Sequence, residues 1–438
     1  MPKLLRRLTT FDLTLITISS IIGSGIFRTP AIVAARAHLG PIIIGCWFAG
    51  GLIALIGAFV FAELAARRPL GGGLYGYLRD AYHPIVGFLF GWTLLLASGS
   101  GANAAAAVLF AGYFANLTGL PVDPRVVAIV TFAVLAAINI LGVRQGSNWQ
   151  NLVAVLKLGA VGVIIVICLA AHPQALPHAT YPPFEHPNAL IGAIGVAMLP
   201  VLFTYSGFQW AGLITSETMH AERTIPKALI LGVAVVVIIY MLTNLGYLRV
   251  LGASGLAITA TPAANALQSV VGNLGSRFIS LAIALSTLGY LSACMLTFPR
   301  VYYQMAAEGL FFKHVALVHA STKAPVIAIL MQALLASIIA VSGSYEQIIN
   351  WVVFPQWLFI FLAAGAVFIL RRRDAGLPRV SAAVPGHPVT TAFFMAVLLA
   401  IFAAEFVIYP SDTRYGMLVV VAGIAAYYVW QRFARSRA

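Results

Sequence analysis

Apolar runs long enough to cross a membrane recur along the whole of this 438-residue chain, and no water-soluble fold can bury that many. A helix needs at least about 18 apolar residues to span a hydrocarbon core about 30 Å thick. Twelve stretches reach that length: 12–36, 42–65, 84–116, 124–142, 148–171 and 188–215, then 227–248, 275–305, 325–342, 347–370, 389–409 and 415–432. Only 9% of the residues are charged, against about a quarter in a soluble domain, so there is too little charge to cover a water-facing surface. The expectation is an all-α polytopic membrane protein of twelve transmembrane helices, with residues 1–438 forming one membrane domain.

The net charge of +14 would suggest nucleic acid in a soluble protein, but in a membrane protein it is read loop by loop. Lys3, Arg6 and Arg7, then Arg67, Arg68 and Arg79, then Arg371, Arg372, Arg373 and Arg379, then Arg432, Arg435 and Arg437 all fall on one side of the predicted spans. The other side holds Arg36, Arg125, Arg249, Arg277 and Arg414. The basic side is cytoplasmic, which places both termini inside, and the excess charge suits anionic lipid head groups. No nucleic-acid role is expected. The first run has no small-residue cleavage site, so it reads as a retained span and not a signal peptide. Cys46, Cys168 and Cys294 lie inside predicted spans, far apart in sequence, and indicate neither a disulfide framework nor a metal site.

Two spans contain breaks. The first carries Gly23, Ser24 and Gly25 at its middle, and the sixth carries Pro200 followed by Tyr205, Ser206, Gly207 and Phe208. Glycine and proline are the poorest helix formers, and unwound backbone at membrane depth survives only where it is buried in protein or lines a cavity. The breaks sit five spans apart, so the second block of five inserts with opposite orientation. That predicts inverted repeats over 12–171 and 188–370, with helices 11 and 12 over 389–432 added, a 5+5 leucine-transporter-like core with its site at the breaks.

These residues resemble those of the amino acid–polyamine–organocation superfamily, and within it the L-type (LAT-like) amino-acid permeases. Gly23-Ser24-Gly25-Ile26-Phe27 is similar to the family's substrate-carboxylate loop, and Glu63 ends span 2 in an Ala-Glu-Leu setting. The string Pro69-Leu70-Gly71-Gly72-Gly73-Leu74-Tyr75-Gly76-Tyr77-Leu78-Arg79, continuing to Gly87-Phe88 and Gly91-Trp92, resembles the signature between spans 2 and 3. Phe203 to Phe208, and Ser216-Glu217-Thr218-Met219 through Arg223, Ile225 and Pro226, extend the likeness; the family usually has Trp where Phe208 stands, and Gly is common at Ser206. The resemblance implies amino-acid transport across a bacterial inner membrane, most simply exchange of neutral L-amino acids, with no cofactor and no enzymatic activity. Animal relatives pair with a glycoprotein through a cysteine between spans 3 and 4; loop 117–123 has none, so no disulfide-linked heavy subunit is expected.

An α-amino acid needs donors for its carboxylate and acceptors for its ammonium. The free N–H groups of Ser24, Gly25 and Ile26 open the outer half of span 1, where the helix dipole favours an anion. Carbonyls near Ile21 and Ile22, and near Phe203 and Ser206 beside Gly207, can accept from the ammonium, and no acidic side chain is needed. Phe203 resembles the family's gating aromatic; Phe208 and Trp210 are candidate pocket walls or ordinary helix filler. The small-residue run Ala97 to Ala102 leaves room for a side chain or allows close helix packing.

Lys157 lies about ten residues into span 5, where an ammonium costs about 2.5–3.5 kcal/mol. LAT-like relatives carry a lysine where sodium-coupled members of the fold bind Na⁺, which implies Na⁺-independent transport with a fixed cation at Lys157. A buried amine can also give up its proton, so proton symport stays open beside exchange. Arg28, one turn beyond the span 1 break, lines the outer vestibule or packs at an interface.

Other classes fit less well. There is no Walker A string, and no mid-membrane His or acidic cluster suited to a metal. One asymmetric pair of breaks does not resemble a channel filter. A transporter-like nutrient sensor would share the sequence and differ only in lacking flux.

Overall fold

The computed structural model describes residues 4–69, 71–171, 187–259, 261–342, 345–376, 380–408 and 410–435. Leu70 of the loop signature, and Lys3, Arg379 and Arg437 of the basic clusters, lie outside that set. The regular elements are helical: α1 (Thr10–Ile21), α2 (Gly25–Ala37), α3 (Gly40–Arg67), α4 (Leu74–Ala81), α5 (Pro84–Thr93), α6 (Gly99–Thr118), α7 (Pro124–Ile140), α8 (Val143–Ala170) and α9 (Pro187–Tyr205). After α9 comes a 3₁₀ helix, Phe208–Glu217. The chain continues through α10 (Ala221–Ile258), α11 (Pro262–Val271), α12 (Asn273–Thr297), α13 (Pro299–Ala307), α14 (Val326–Ser342), α15 (Tyr345–Arg373), α16 (Val389–Ile408) and α17 (Pro410–Arg435).

Among the described residues, nine helical stretches are long and apolar enough to cross a membrane, or ten when α1 and α2 count as one span bent by 45°. The shorter apolar helices α7 and α14 occupy the predicted spans 124–142 and 325–342. Large apolar side chains such as Val166, Leu334 and Leu418 are exposed, the face that hydrocarbon requires of a polytopic bundle.

Helix α1 starts at a capping box in which Thr9 N–H donates to Asp12 Oδ2 at 2.8 Å and Asp12 N–H to Thr9 Oγ1 at 3.4 Å. This satisfies two of the N–H groups that a helix start leaves without partners. Asn151 of α8 donates to the same carboxylate at 2.6 Å, tying α8 to the entry of α1. Just before it, Arg7 and Leu8 donate N–H groups to the Glu217 carbonyl, and Met219 donates to that of Leu8. The N-terminal segment is thereby strapped to the end of the 3₁₀ helix.

The loop signature is a packing hub at this same end. Gly72 and Gly73 have φ of 81° and 50°, where a side chain is strained, and a Cβ on Gly73 would collide with the Gly212 carbonyl. Tyr75 Oη donates to Glu308 at 2.6 Å, and Arg79 pairs with both Asp80 and Glu308. Glu63, wholly buried, accepts from Arg67 at 2.8 Å, from Arg371 at 2.6 and 2.7 Å and from Val384 N–H at 2.7 Å. A buried charge without such partners would be costly, and here one carboxylate joins α3, α15 and the segment before α16.

A candidate substrate cavity between two broken helices

Helix α1 ends at Ile21, Ile22 is extended, and α2 begins at Gly25 without a side-chain cap. The second break falls later than proline alone suggests. Helix α9 runs through Pro200 to Tyr205 and stops at Gly207, whose φ of 112° only glycine adopts readily. Pro200 lacks the N–H that would bond the Val196 carbonyl, and Arg36 of α2 donates Nη1 to that carbonyl at 2.7 Å. The missing bond is thus replaced and the helix survives.

The breaks touch. A Cβ on Gly207 would collide with the Ser20 carbonyl oxygen, and one on Gly25 would lie 2.8 Å from Thr204 Cγ2. Thr204 also shares a 2.9 Å hydrogen bond with Thr29 of α2. Both glycines are therefore required by close approach, which the sequence alone presented only as points of backbone freedom.

A helix leaves its last four carbonyls without internal partners, and the fold brings donors to those of α1. Lys157 Nζ, wholly buried, donates to Ser19 at 3.0 Å. Tyr240 Oη of α10 lies 3.2 Å from both the Ile21 and the Thr204 carbonyls, bridging the two broken helices. Ser286 Oγ of α12 donates to Gly23 at 2.9 Å and approaches Ile22 at 3.4 Å. The Ser20 carbonyl instead faces Gly207 beside a cavity.

That cavity, about 120 Å³, lies between the breaks. Its wall takes Ser20, Ile21, Gly23, Ser24 and Gly25 from the first break and Phe203, Thr204, Ser206, Gly207 and Trp210 from the second. Helix α6 adds Ala102, Ala105 and Ala106, α12 adds Thr287 and Tyr290, and α15 adds Gln356. No charged side chain is among these residues.

Of the expected site residues, Ile21, Ser24, Gly25, Phe203, Ser206 and Gly207 meet at the cavity. Ile22 and Ile26 are buried beside it, outside the lining. Phe208 is turned away, its ring 5.7 Å from Phe61 and against Gly57. The 3₁₀ turn of three residues puts Phe208 and Trp210 on different faces, so Trp210 reaches the cavity and packs 5.1 Å from Phe298. Phe203 is 38% exposed whereas Trp210 is 4% exposed, so the cavity is open on the α9 side and shut on the 3₁₀ side.

Tyr240, Ser286, Thr204 and Gln356 were not foreseen. Thr204 sits on α9 beside the second break; Tyr240, Ser286 and Gln356 come from other helices, and only tertiary packing aims them at the site.

A bundle of apolar helices enclosing a small cavity between two unwound segments defines a multi-pass membrane carrier. The amino acid permease family profile matches residues 8–427, and the chain belongs to that family. It is 30% identical over 422 residues, 95% of either chain, to the serine/threonine exchanger SteT of Bacillus subtilis (strain 168). It is 28% identical over 437 residues to the human b(0,+)-type amino acid transporter 1, covering 95% of this chain and 86% of that one. The human cystine/glutamate transporter is 26% identical over 444 residues, 99% of this chain and 87% of that one. This is an amino-acid permease of the amino acid–polyamine–organocation superfamily, resembling its LAT branch, and its relatives are transporters and not enzymes.

Proposed function

We propose that the protein exchanges small neutral L-amino acids across a bacterial inner membrane, independently of Na⁺, by alternating access. The observation that carries this reading is the placement of backbone donors and acceptors around the cavity. The uncapped N–H groups at the start of α2 face it from one side, where a helix N-terminus favours a carboxylate. The Ser20 carbonyl beside Gly207 offers an acceptor for the ammonium, with a second lone pair of Ile21 near it, whereas the Phe203 carbonyl already accepts from both the N–H and the Oγ of Ser206. A lining without charged side chains suits a ligand with no net side-chain charge. A cavity of about 150 Å³ holds benzene, so 120 Å³ suits only a small amino acid taken whole, in keeping with a serine/threonine exchanger among the relatives.

The ammonium of Lys157 on the Ser19 carbonyl supports Na⁺ independence, because a fixed cation already occupies the end of α1. Phe203, partly exposed at the open side, is the proposed gate. The two breaks, five spans apart, support twelve spans in a 5+5 inverted repeat, and the basic loops support cytoplasmic termini. All three cysteines are buried, in keeping with a carrier that works without a disulfide-linked partner.

The test is countertransport in proteoliposomes with radiolabelled serine and a panel of unlabelled competitors. Preloaded amino acid should stimulate uptake, with choline replacing Na⁺ at no loss. Uptake that collapses without Na⁺ would refute the Na⁺ reading. A second reading, proton symport, draws on the same buried amine, whose one described partner is a carbonyl and not a carboxylate. It predicts uptake into empty vesicles driven by a pH gradient alone.

A further inference from the structure

One feature of α2 stands outside the binding lining. Arg28 is exposed, while its neighbours Ile26, Phe27, Thr29 and Pro30 are buried. It stands four residues from Ser24 and three from Gly25, and such spacings put side chains on one face of a helix. Since Ser24 and Gly25 line the cavity, that face continues the cavity wall outward, one turn above the ligand-facing N–H groups.

Depth fixes what Arg28 faces. Helix α2 runs nine residues further, to Ala37, about 13 Å of helix. That is more than an arginine side chain can span, so the guanidinium cannot snorkel to the interface from hydrocarbon. It must stand in water, and the open side of the cavity, where Phe203 is exposed, supplies it. Arg36, two turns on from Arg28, is tied to the Val196 carbonyl, whereas Arg28 has no hydrogen bond or ion pair with any described residue. No carboxylate occurs in α2, α6, α9 or α12, four of the helices walling the cavity, and none of the lining residues is acidic.

We propose that Arg28 is a specificity-determining residue, a charge filter at the cavity mouth that excludes amino acids with cationic side chains while passing neutral and anionic ones. The inference deepens the exchange reading and rests on it. Neutrality of the lining alone would leave cationic ligands merely unassisted; a fixed guanidinium one turn away repels them.

The experiment measures inhibition of radiolabelled serine exchange in proteoliposomes by three side chains of similar size: aspartate, asparagine and 2,4-diaminobutyrate. Wild-type protein should be inhibited far less by diaminobutyrate than by asparagine. Arg28→Gln should narrow that ratio by about tenfold or more, the scale of one removed like charge at this range, with the serine KM little changed. Arg28→Lys should keep the wild-type ratio, which a merely structural role for the guanidinium would not explain. An asparagine-to-diaminobutyrate ratio that stays put in Arg28→Gln overturns the filter. Wild-type vesicles showing no amino-acid exchange at all would overturn the underlying reading first, a result distinct from normal exchange with an unmoved ratio.

Discussion

Lys157 Nζ lies 3.0 Å from the Ser19 carbonyl oxygen, joining the middle of α8 to the last turn of α1 just before its break. The bond caps a carbonyl that the broken helix leaves without an internal partner, and it couples movement of α8 to the cavity floor. Lys157→Ala should therefore slow exchange by about tenfold or more, a loss of roughly one charge-assisted hydrogen bond, while leaving expression and the size-exclusion profile near wild type. Initial exchange rates alongside detergent-solubilised yield check this, and an unaltered rate would remove Lys157 from the mechanism.

The span 1 glycines divide by their surroundings. Nothing lies within 4 Å of a Cβ placed on Gly23, whereas one on Gly25 meets the Thr204 side chain at 2.8 Å. Gly23→Ala should fold normally. Gly25→Leu should abolish substrate binding by covering the N–H groups and wedging α2 from α9. Ligand-induced thermal shift reads binding apart from flux, and a normal shift in Gly25→Leu would place the site elsewhere.

Much of this was legible from residue types. Apolar runs marked the nine or ten spans that the described helices are long and apolar enough to form, and Gly23 to Gly25 marked the first break within a residue or two. Lys157 was conspicuous because an ammonium in mid-span is rare. Of the residues marked in span 6, Pro200 does not itself break the helix, since Arg36 reaches the Val196 carbonyl, and the break falls at Gly207, where φ is positive. Phe208 misled because a residue beside the break reads as a wall of the site until the packing turns its ring onto Phe61 and Gly57. Tyr240 and Ser286 gave no signal, because an ordinary Tyr or Ser within an unbroken span reads as packing until α10 and α12 are docked.

Tyr240 bridges the Ile21 and Thr204 carbonyls, each at 3.2 Å. Tyr240→Phe deletes only the hydroxyl, so the cost should be that of a shared hydrogen bond, about 0.5–1.5 kcal/mol, with the two breaks less firmly held. A lower melting temperature in detergent together with an altered exchange KM is expected. A lower melting temperature with unchanged KM would confine the residue to stability.

His387, in the loop before α16, sets a pH window. Burial, then the nearby Arg371 guanidinium, hold its imidazole below the ordinary 6.5, and its Nδ1 lies 2.9 Å from Thr391 Oγ1. The unfolded chain takes up the proton first as pH falls, so stability is full above about pH 6.5 and declines below it until the folded-state value is passed. His387→Gln should flatten the melting temperature between pH 7 and the onset of carboxylate titration. A slope equal to that of wild type would assign the effect to other groups.

Glu217 and Arg300 form an ion pair at 2.6 and 3.3 Å, both side chains essentially without solvent. The pair joins the end of the 3₁₀ helix to the start of α13, where the backbone of Arg7 and Leu8 is strapped to Glu217 as well. Removing one member strands a buried charge at about 3–5 kcal/mol, whereas replacing both with apolar residues of similar size is often neutral. Glu217→Leu or Arg300→Met alone should thus lower the melting temperature sharply, and the double variant should regain most of it. If opening toward the 3₁₀ side parts this helix from α13, it breaks the pair, and the double variant should then favour that opening. Thiol labelling of a cysteine placed at Gly212 would report this as faster modification than in the same cysteine variant with the pair intact. Equal labelling rates would mean that the pair braces the fold without gating the cavity.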